Sequence, residues 1–228
     1  SGVASITVTT NDTTPSRITV TAAGITLVDS PSIYWLDPAE SGVATNFGTK
    51  TTLVTVSGAT QFIQFPQWRA DGQALAYIAK TAAEDTWNVY VAYDDGATGG
   101  DATANDGAFA IVRLTGAQHM VNPASKIAFR DTQVIFSAFD TGTTICNLYS
   151  VAADGTNNAT AKASTTRLTT GAGLWAMPYA VPDSTGMYAV YQGSIYRLNL
   201  ATPPYNPAGG VDKILEAGTA SDFMVDGV

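Results

Sequence analysis

The sequence predicts an all-β protein built from four copies of one strand-rich unit. Segments with helical periodicity are short, whereas runs of β-branched and aromatic residues bounded by Gly, Asp, Asn or Pro recur throughout the 228 residues. Asp, which favours turns, outnumbers Glu, which favours helices, by 16 to 3. A strand that contains a Tyr also recurs, at Tyr34, Tyr90, Tyr149 and Tyr196.

Two further segments accompany these tyrosines and together define the unit. Upstream lies a turn followed by an apolar strand, as in residues 66–79 and 178–191. Downstream lies a short strand whose Leu or Ile comes 18 to 24 positions after the Tyr. The longest separation contains the loop 94–107, where extra residues cost little free energy. We therefore expect four units of about four strands each, at residues 18–62, 63–120, 121–176 and 177–220.

The second unit shows a specific order of residues: Pro-x-Trp-x-x-Asp-Gly, an apolar strand, an Asn-aliphatic-Tyr strand, a turn and Arg-Leu-Thr. The residues that carry it are Pro66, Trp68, Asp71, Gly72, Tyr90, Arg113, Leu114 and Thr115, with Tyr149, Arg167, Leu168, Thr169, Pro182, Asp183 and Tyr196 in later units. This order resembles the WD-repeat-like β-propeller modules of the TolB family, over roughly residues 18–220. The resemblance implies a β-propeller of four-stranded antiparallel blades, a partner docked on one open face and no cofactor.

Packing between blades gives the repeated Tyr a role. A four-stranded sheet cannot bury both of its faces alone, so such sheets pack face to face around an axis. In each Tyr strand, the Tyr and the residue two positions later share one face, and aliphatic neighbours share the other. We therefore expect Tyr90, Tyr149 and Tyr196 to be buried between blades. We also expect a helix content below about 10%.

Four complete units set the minimum number of blades and leave the closure of the ring open. Residues 1–17 and 221–228 contain candidate strands for a shared fifth, closing blade. The alternative is that the chain is a fragment of a larger ring of about six to eight blades. In both cases we expect residues 1–228 to form one domain.

Composition narrows the classes of partner and compartment. The net charge is −8 and no cluster of Lys or Arg occurs, so we do not expect nucleic acid as a partner. No apolar run approaches the length of a transmembrane helix, and we expect no membrane span. The low content of Lys and Glu, with abundant Thr, Gly and Asn, is typical of extracytoplasmic proteins, so we expect a periplasmic or secreted protein.

Residue types that carry catalysis are scarce. His119 is the only histidine and no G-x-S-x-G elbow occurs, so we predict a loop histidine without chemical role, whose replacement changes neither binding nor stability. Cys146 is the only cysteine, and we expect it to be a small buried apolar residue. Asp71, Asp131 and Asp183 recur at equivalent turns, which indicates structural positions rather than a glycosidic carboxylate pair. We predict that the protein is not an enzyme and needs no cofactor.

One loop weakly resembles a calcium site. Within residues 94–107, Asp101, Asn105 and Asp106 alternate oxygen-bearing side chains as a calcium loop would. However, Asp106 stands where the sharp turn requires Gly, and Val112 stands where a bidentate Glu is required. We therefore expect a solvated insertion without metal.

Trp68, Arg69 and Arg130 are the candidate partner-binding residues. Trp68-Arg69 and Phe129-Arg130 occupy equivalent positions at the end of an innermost strand, and Trp and Arg are favoured at interface centres. The alternative is that the aromatic rings pack between blades while the arginines pair with Asp in the turns.

These residues predict a protein-binding or self-assembling module without catalytic activity. One alternative is an accessory propeller that binds or gates substrate for a larger hydrolase or lyase. Another is a carbohydrate-binding propeller. The sequence alone does not name the ligand in any of these cases.

Overall fold

The computed structural model describes residues 17–21, 24–29, 32–36, 50–55, 62–71, 73–81, 84, 86–94, 109–153, 165–180, 186–199, 203–207 and 213–215. Within these ranges the strands form four antiparallel sheets of four strands. A 3-10 turn of three residues lies at Ala117–His119. The predicted all-β fold with four-stranded antiparallel blades is confirmed.

Each sheet is a meander in which consecutive strands are hydrogen-bonded neighbours, and we call the sheets blades 1 to 4. Blade 1 contains β1 (Arg17–Thr21), β2 (Gly24–Asp29), β3 (Ser32–Leu36) and β4 (Lys50–Thr55). Blade 2 contains β5 (Phe62–Trp68), β6 (Ala74–Lys80), β7 (Asn88–Asp94) and β8 (Phe109–Arg113). Blade 3 contains β9 (Ala128–Arg130), β10 (Gln133–Phe139), β11 (Cys146–Ala152) and β12 (Thr165–Arg167). Blade 4 contains β13 (Trp175–Ala180), β14 (Gly186–Tyr191), β15 (Ser194–Asn199) and β16 (Lys213–Leu215).

The blades pack face to face in chain order, with their first strands innermost. Strand β5 contacts β2 and β3 of blade 1 on one side and β9 of blade 3 on the other. Strand β13 likewise contacts β9, β10 and β11 of blade 3. Three apolar clusters fill the spaces between successive blades. Because β6 and β10 lie between two neighbouring blades, they are buried along most of their length and are apolar on both faces.

The repeated Tyr faces the preceding blade. Tyr149 lies in the cluster shared with blade 2 and Tyr196 in the cluster shared with blade 3, and both are buried. Tyr90 packs against the cluster that includes Ile33 of blade 1, but it is only partly buried. The inter-blade position is therefore confirmed for all three, and the burial predicted for Tyr90 is too high because its hydroxyl reaches the half-buried Glu84.

The inner strands β5 and β13 carry the same backbone irregularity. Their pairing registers shift at Phe65-Pro66 and at Met177-Pro178, where each strand forms a bulge. Phe65 and Met177 have positive φ angles of 53° and 51°. A bulge tolerates Pro, which has no N–H to donate to the neighbouring strand. In blade 2 this bulge sets the direction of the last part of β5, which ends at Trp68.

Several predictions concern residues outside the described ranges. One set is the candidate closing strands, except for Arg17, which begins β1. The other set is the calcium-like residues Asp101, Asn105 and Asp106. The number of blades beyond four, the nature of that loop and the single-domain organisation of residues 1–228 stay predictions. Over the part of the chain that is described, no helix is long and apolar enough to cross a membrane.

Candidate functional site

The described turns of the blades lie at two opposite ends of the fold. The hairpin end carries the turns between the first and second strands, such as those after Arg69 and after Arg130. The connector end carries the turns between the second and third strands, such as residues 140–145 and 192–193. The three predicted binding residues, Trp68, Arg69 and Arg130, all lie at the hairpin end.

Arg69 and Arg130 occupy equivalent positions on neighbouring blades. The backbone N–H of Arg69 donates to the carbonyl of Ala74, the first residue of β6, at 2.9 Å. Arg130 is paired in the same way with Gln133, the first residue of β10. Because β5 and β9 contact each other, the two arginines lie at the same level of neighbouring inner strands.

Arg69 forms an ion pair with the turn that follows it. Its Nε lies 2.8 and 2.9 Å from the two carboxylate oxygens of Asp71. Oδ1 of Asp71 also accepts the backbone N–H of Gln73 at 3.0 Å. The hydrogen bond from Arg69 is the main cause that lowers the pKa of Asp71. Arg69 therefore braces the turn, as the alternative interpretation of the sequence predicts.

Arg130 differs from Arg69 in this respect. It is half-buried, and no hydrogen bond or ion pair engages its side chain within the described ranges. The adjacent Asp131 has a φ of 51°, a left-handed conformation that Asp tolerates better than most residues. Arg130 therefore presents at the hairpin end a guanidinium group that no described residue neutralises.

The two aromatic residues beside these arginines pack between blades. Trp68 lies partly buried against the cluster between blades 1 and 2. Phe129 lies against the cluster between blades 2 and 3. Each ring can offer a partner only the part that this packing leaves exposed.

Sequence reasoning missed an acidic residue that joins the repeated Tyr to the Arg-Leu-Thr strand. In blade 2, Oε1 of Glu84 accepts the hydroxyl of Tyr90 at 2.7 Å and Nη1 of Arg113 at 2.6 Å. Burial opposes the charge on Glu84, but the hydrogen bonds from Tyr90 and Arg113 outweigh it and lower the pKa of this carboxyl.

Asp140 takes the same position in blade 3. Its Oδ1 accepts the hydroxyl of Tyr149 at 2.8 Å, and its Oδ2 accepts Nη2 of Arg167 at 3.0 Å. Asp140 precedes its Tyr by nine positions, whereas Glu84 precedes its Tyr by six. This unequal spacing, together with the change from Glu to Asp, hides the acid in a comparison of the repeats.

The Thr of the Arg-Leu-Thr motif has an equally structural function. Oγ1 of Thr115 accepts the backbone N–H of Val89 at 2.8 Å and donates to Oδ1 of Asn88 at 3.1 Å. The equivalent residues of blade 3 are Thr169, Leu148 and Asn147, at 2.9 and 3.3 Å. The Asn-aliphatic-Tyr and Arg-Leu-Thr motifs therefore recur because they hold the third strand and the following connection together.

Replacing Glu84 by Gln should remove a pH-dependent part of the stability. Because the folded-state pKa of Glu84 is lowered from 4.5, its contribution is present above that value and is lost as the pH falls through the folded-state pKa. We expect Glu84→Gln to lower the free energy of unfolding by about 1–2 kcal/mol at pH 7, and by progressively less below about pH 4.5.

Urea unfolding of both proteins between pH 3 and 7 measures this difference. Tyr90→Phe serves as the matched variant because it removes one of the donors to Glu84 and leaves Arg113 in place, and it should show a smaller change of the same sign. A stability difference that is constant across this pH range would contradict the ion-pair assignment.

His119 corrects one expectation from the sequence. It belongs to the 3-10 turn and is buried, its Nδ1 accepts the backbone N–H of Gly116 at 2.9 Å, and its ring contacts Phe136. Because the ring is buried and contacts Phe136 of blade 3, we now expect the replacement of His119 to lower the stability, whereas the sequence alone predicts no change.

Cys146 is buried, as predicted. Burial raises the pKa of its thiol to about 12, so the group is protonated at neutral pH. Among the described residues, no group of three or more His, Cys, Asp or Glu is arranged to hold a metal ion.

No family model and no curated protein match the sequence. Solved structures match the fold. A protein from Agrobacterium tumefaciens provisionally named TolB is 16% identical, with a TM-score of 0.51 over 77% of this chain and 56% of its own. A prolyl endopeptidase is 10% identical, with a TM-score of 0.50 over 82% of this chain and 28% of its own. The fold is a β-propeller.

An oligogalacturonate lyase in complex with manganese also matches, with 14% identity and a TM-score of 0.45 over 78% of this chain and 45% of its own. The present chain thus spans little more than half the length of the Agrobacterium protein and less than a third of the endopeptidase. At these identities the likeness concerns the fold alone.

Proposed function

We propose that this chain is a non-catalytic, extracytoplasmic β-propeller module that binds a protein partner at its hairpin end. The observation that carries the proposal is Arg130, a half-buried cation at the end of an inner strand that no described residue neutralises. The strand side chains are used for packing between blades, so contacts with a partner come from turns and strand ends.

The surroundings of Arg130 favour a carboxylate on the partner. A guanidinium group binds a carboxylate through two parallel hydrogen bonds, and these are stronger when the site is partly shielded from water. Arg69 lies on the neighbouring blade, where Asp71 neutralises its charge and holds its guanidinium group in place. The exposed parts of Trp68 and Phe129 would supply the apolar contact beside Arg69 and Arg130.

Replacing both arginines by Ala should weaken partner binding by about tenfold to a hundredfold, the range expected for the loss of an interface anchor. The unfolding midpoint should change little, since the ion pair of Arg69 with the exposed Asp71 contributes at most about 1 kcal/mol. Of the single variants, Arg130→Ala should account for most of the lost affinity.

Chemical crosslinking of the tagged chain in an extracytoplasmic extract, followed by mass spectrometry, would identify the partner, and calorimetry would measure the affinities. Lys80→Ala is the matched control, because it removes a half-buried cation from the opposite end of a strand in blade 2. If Arg130→Ala binds the partner as tightly as Lys80→Ala does, the proposed site is wrong.

One observation favours a second candidate function. The match to a prolyl endopeptidase covers 28% of that protein, so this fold also forms part of a larger enzyme. In that case the hairpin end would meet the remainder of an enzyme instead of a separate partner. An activity of the present chain on its own toward peptide or glycosidic substrates would overturn the non-catalytic proposal.

A further inference from the structure

His119 lies in the connection that leads from blade 2 into blade 3. It ends the 3-10 turn Ala117–His119, which follows the last strand of blade 2. Two residues later, Val121 pairs with Ala138 of β10, where the chain begins to pack on blade 3. The backbone N–H of Asn122 then donates to a carbonyl of β10 at 2.8 Å. The turn therefore lies at the joint between the two blades.

The imidazole of His119 holds this turn in its neutral form. Its Nδ1 accepts the N–H of the buried Gly116 at 2.9 Å, and the side chain is 2% exposed. A ring nitrogen that accepts a hydrogen bond carries no proton, so this bond assigns the proton of the neutral ring to Nε2. Protonation would add a proton to Nδ1, which would then face the N–H of Gly116 as one donor faces another. The charged ring would have to turn toward the carbonyl of Gly116, which lies 3.2 Å from Nδ1.

The equivalent N–H of blade 3 has an acceptor that does not titrate. Thr170 takes the place of Gly116, two positions after the Leu of the Arg-Leu-Thr motif. Its N–H donates to the backbone carbonyl of Tyr205 at 2.8 Å. A carbonyl accepts at every pH, whereas an imidazole nitrogen accepts only while it is unprotonated. At this position, the joint between blades 2 and 3 thus depends on a titratable group and the joint between blades 3 and 4 does not.

The neighbouring titratable groups offer the protonated ring little compensation. The cluster around Phe136, whose ring His119 contacts, contains Tyr93 and Tyr149, and phenols are uncharged between pH 5 and 8. The nearby turns carry the carboxylates of Glu84 and Asp140, and each of these is already bound to a Tyr and an Arg. Burial therefore opposes a charge on the imidazole in the closed joint.

We propose that His119 is a pH-sensitive latch between blades 2 and 3, which mild acid opens by protonating its imidazole. The open joint exposes the ring to water and takes up the proton more readily than the closed joint does. Opening therefore becomes more favourable as the pH falls through the ordinary pKa of a histidine, about 6.5. The latch needs no partner and acts independently of the hairpin end.

Hydrogen–deuterium exchange of the full chain, followed by NMR at pH 7.5 and 5.5, tests the latch. After correction for the intrinsic exchange rates, the amides of Gly116 and Asn122 should exchange about tenfold faster at pH 5.5. A histidine with a pKa of about 6.5 in the open joint increases the open population by about this factor between the two pH values. The amides of Thr170 and Tyr205, which are bound to carbonyls, are the internal control and should keep their corrected rates.

His119→Asn is the matched variant. Oδ1 of Asn is an acceptor at the δ position, as Nδ1 of His is, but it does not titrate. The loss of the ring should speed exchange at both pH values, while the tenfold difference between them should disappear. Circular dichroism checks that the variant keeps its strand content.

A second measurement uses the wild-type chain alone. His119 is the only histidine, so its ring gives a single set of NMR signals. In the folded protein these signals should report the neutral ring at pH 5.5, where a free histidine is about nine-tenths charged.

The proposal is overturned if Gly116 and Asn122 exchange at the same corrected rates at both pH values, or if Thr170 accelerates as much as they do. A tenfold difference that persists in His119→Asn also overturns it. So does a charged ring in the folded protein at pH 5.5, because the joint would then close on the imidazolium.

Discussion

Replacing Tyr149 by Ala should lower the free energy of unfolding by about 3–5 kcal/mol, as for other large aromatic deletions from a core. The side chain is 8% exposed, and its ring lies 6.1 Å from that of Phe136, between blades 2 and 3. The substitution would open a cavity between blades and leave Asp140 without the hydroxyl that donates to it at 2.8 Å. Chemical denaturation of both proteins measures the difference.

Tyr149→Phe separates the two contributions. It keeps the ring in the inter-blade cluster and removes only the hydrogen bond to the carboxylate, so we expect a loss of about 1.5–3 kcal/mol. A loss below about 1 kcal/mol for Tyr149→Ala would show that the side chain behaves as a surface residue, against the inter-blade assignment.

Replacing Trp175 by Ala should cost a similar amount, about 3–5 kcal/mol. The side chain is fully buried at the start of β13, and its indole N–H donates to the carbonyl of Thr170 at 2.9 Å. Its ring lies 4.6 Å from Tyr191 and 5.4 Å from Tyr196. Truncation would therefore disturb the cluster between blades 3 and 4 and leave a carbonyl without its partner.

Leu174→Ala provides the matched control for this variant. Leu174 is the preceding residue in the chain and is 49% exposed, so its truncation should cost less than about 1 kcal/mol. Thermal or chemical unfolding should separate the two variants clearly. Equal losses would mean that the start of β13 is not the anchor of blade 4 on blade 3.

The fold could be predicted because its signals are local and repeated. Apolar runs such as residues 74–79 and turns such as Asp131-Thr132 mark the strands one by one. The recurrence of the Tyr strand then indicates blades, since a sheet that must bury both faces requires neighbours on each side. The face chosen by the Tyr also follows from strand alternation.

Contacts between distant segments could not be predicted in the same way. Glu84 and Asp140 reach their Tyr and Arg partners from turns of different length, so no fixed spacing identifies them. Tyr205 exchanges backbone hydrogen bonds with Leu168 and Thr170 across blades 3 and 4, and the local sequence carries no sign of this contact.

The places of Arg69 and Arg130 in the fold could be predicted, but the pairing of their side chains could be predicted only in part. The equivalence of Arg69 and Arg130 follows from the repeat. Their difference depends on one side chain, because Asp71 stands two positions after Arg69 and reaches its guanidinium. The turn after Arg130 has Asp131 directly adjacent and in a left-handed conformation, and no comparable pair forms there within the described ranges.

Hydrogen–deuterium exchange of the propeller, with and without a protein partner identified by crosslinking, tests the functional proposal most directly. If the partner docks at the hairpin end, exchange should slow in the turns that follow Trp68 and Phe129 and stay unchanged in residues 140–145 and 192–193 of the connector end. Protection confined to the connector end, with no change around Arg130, would contradict the proposal.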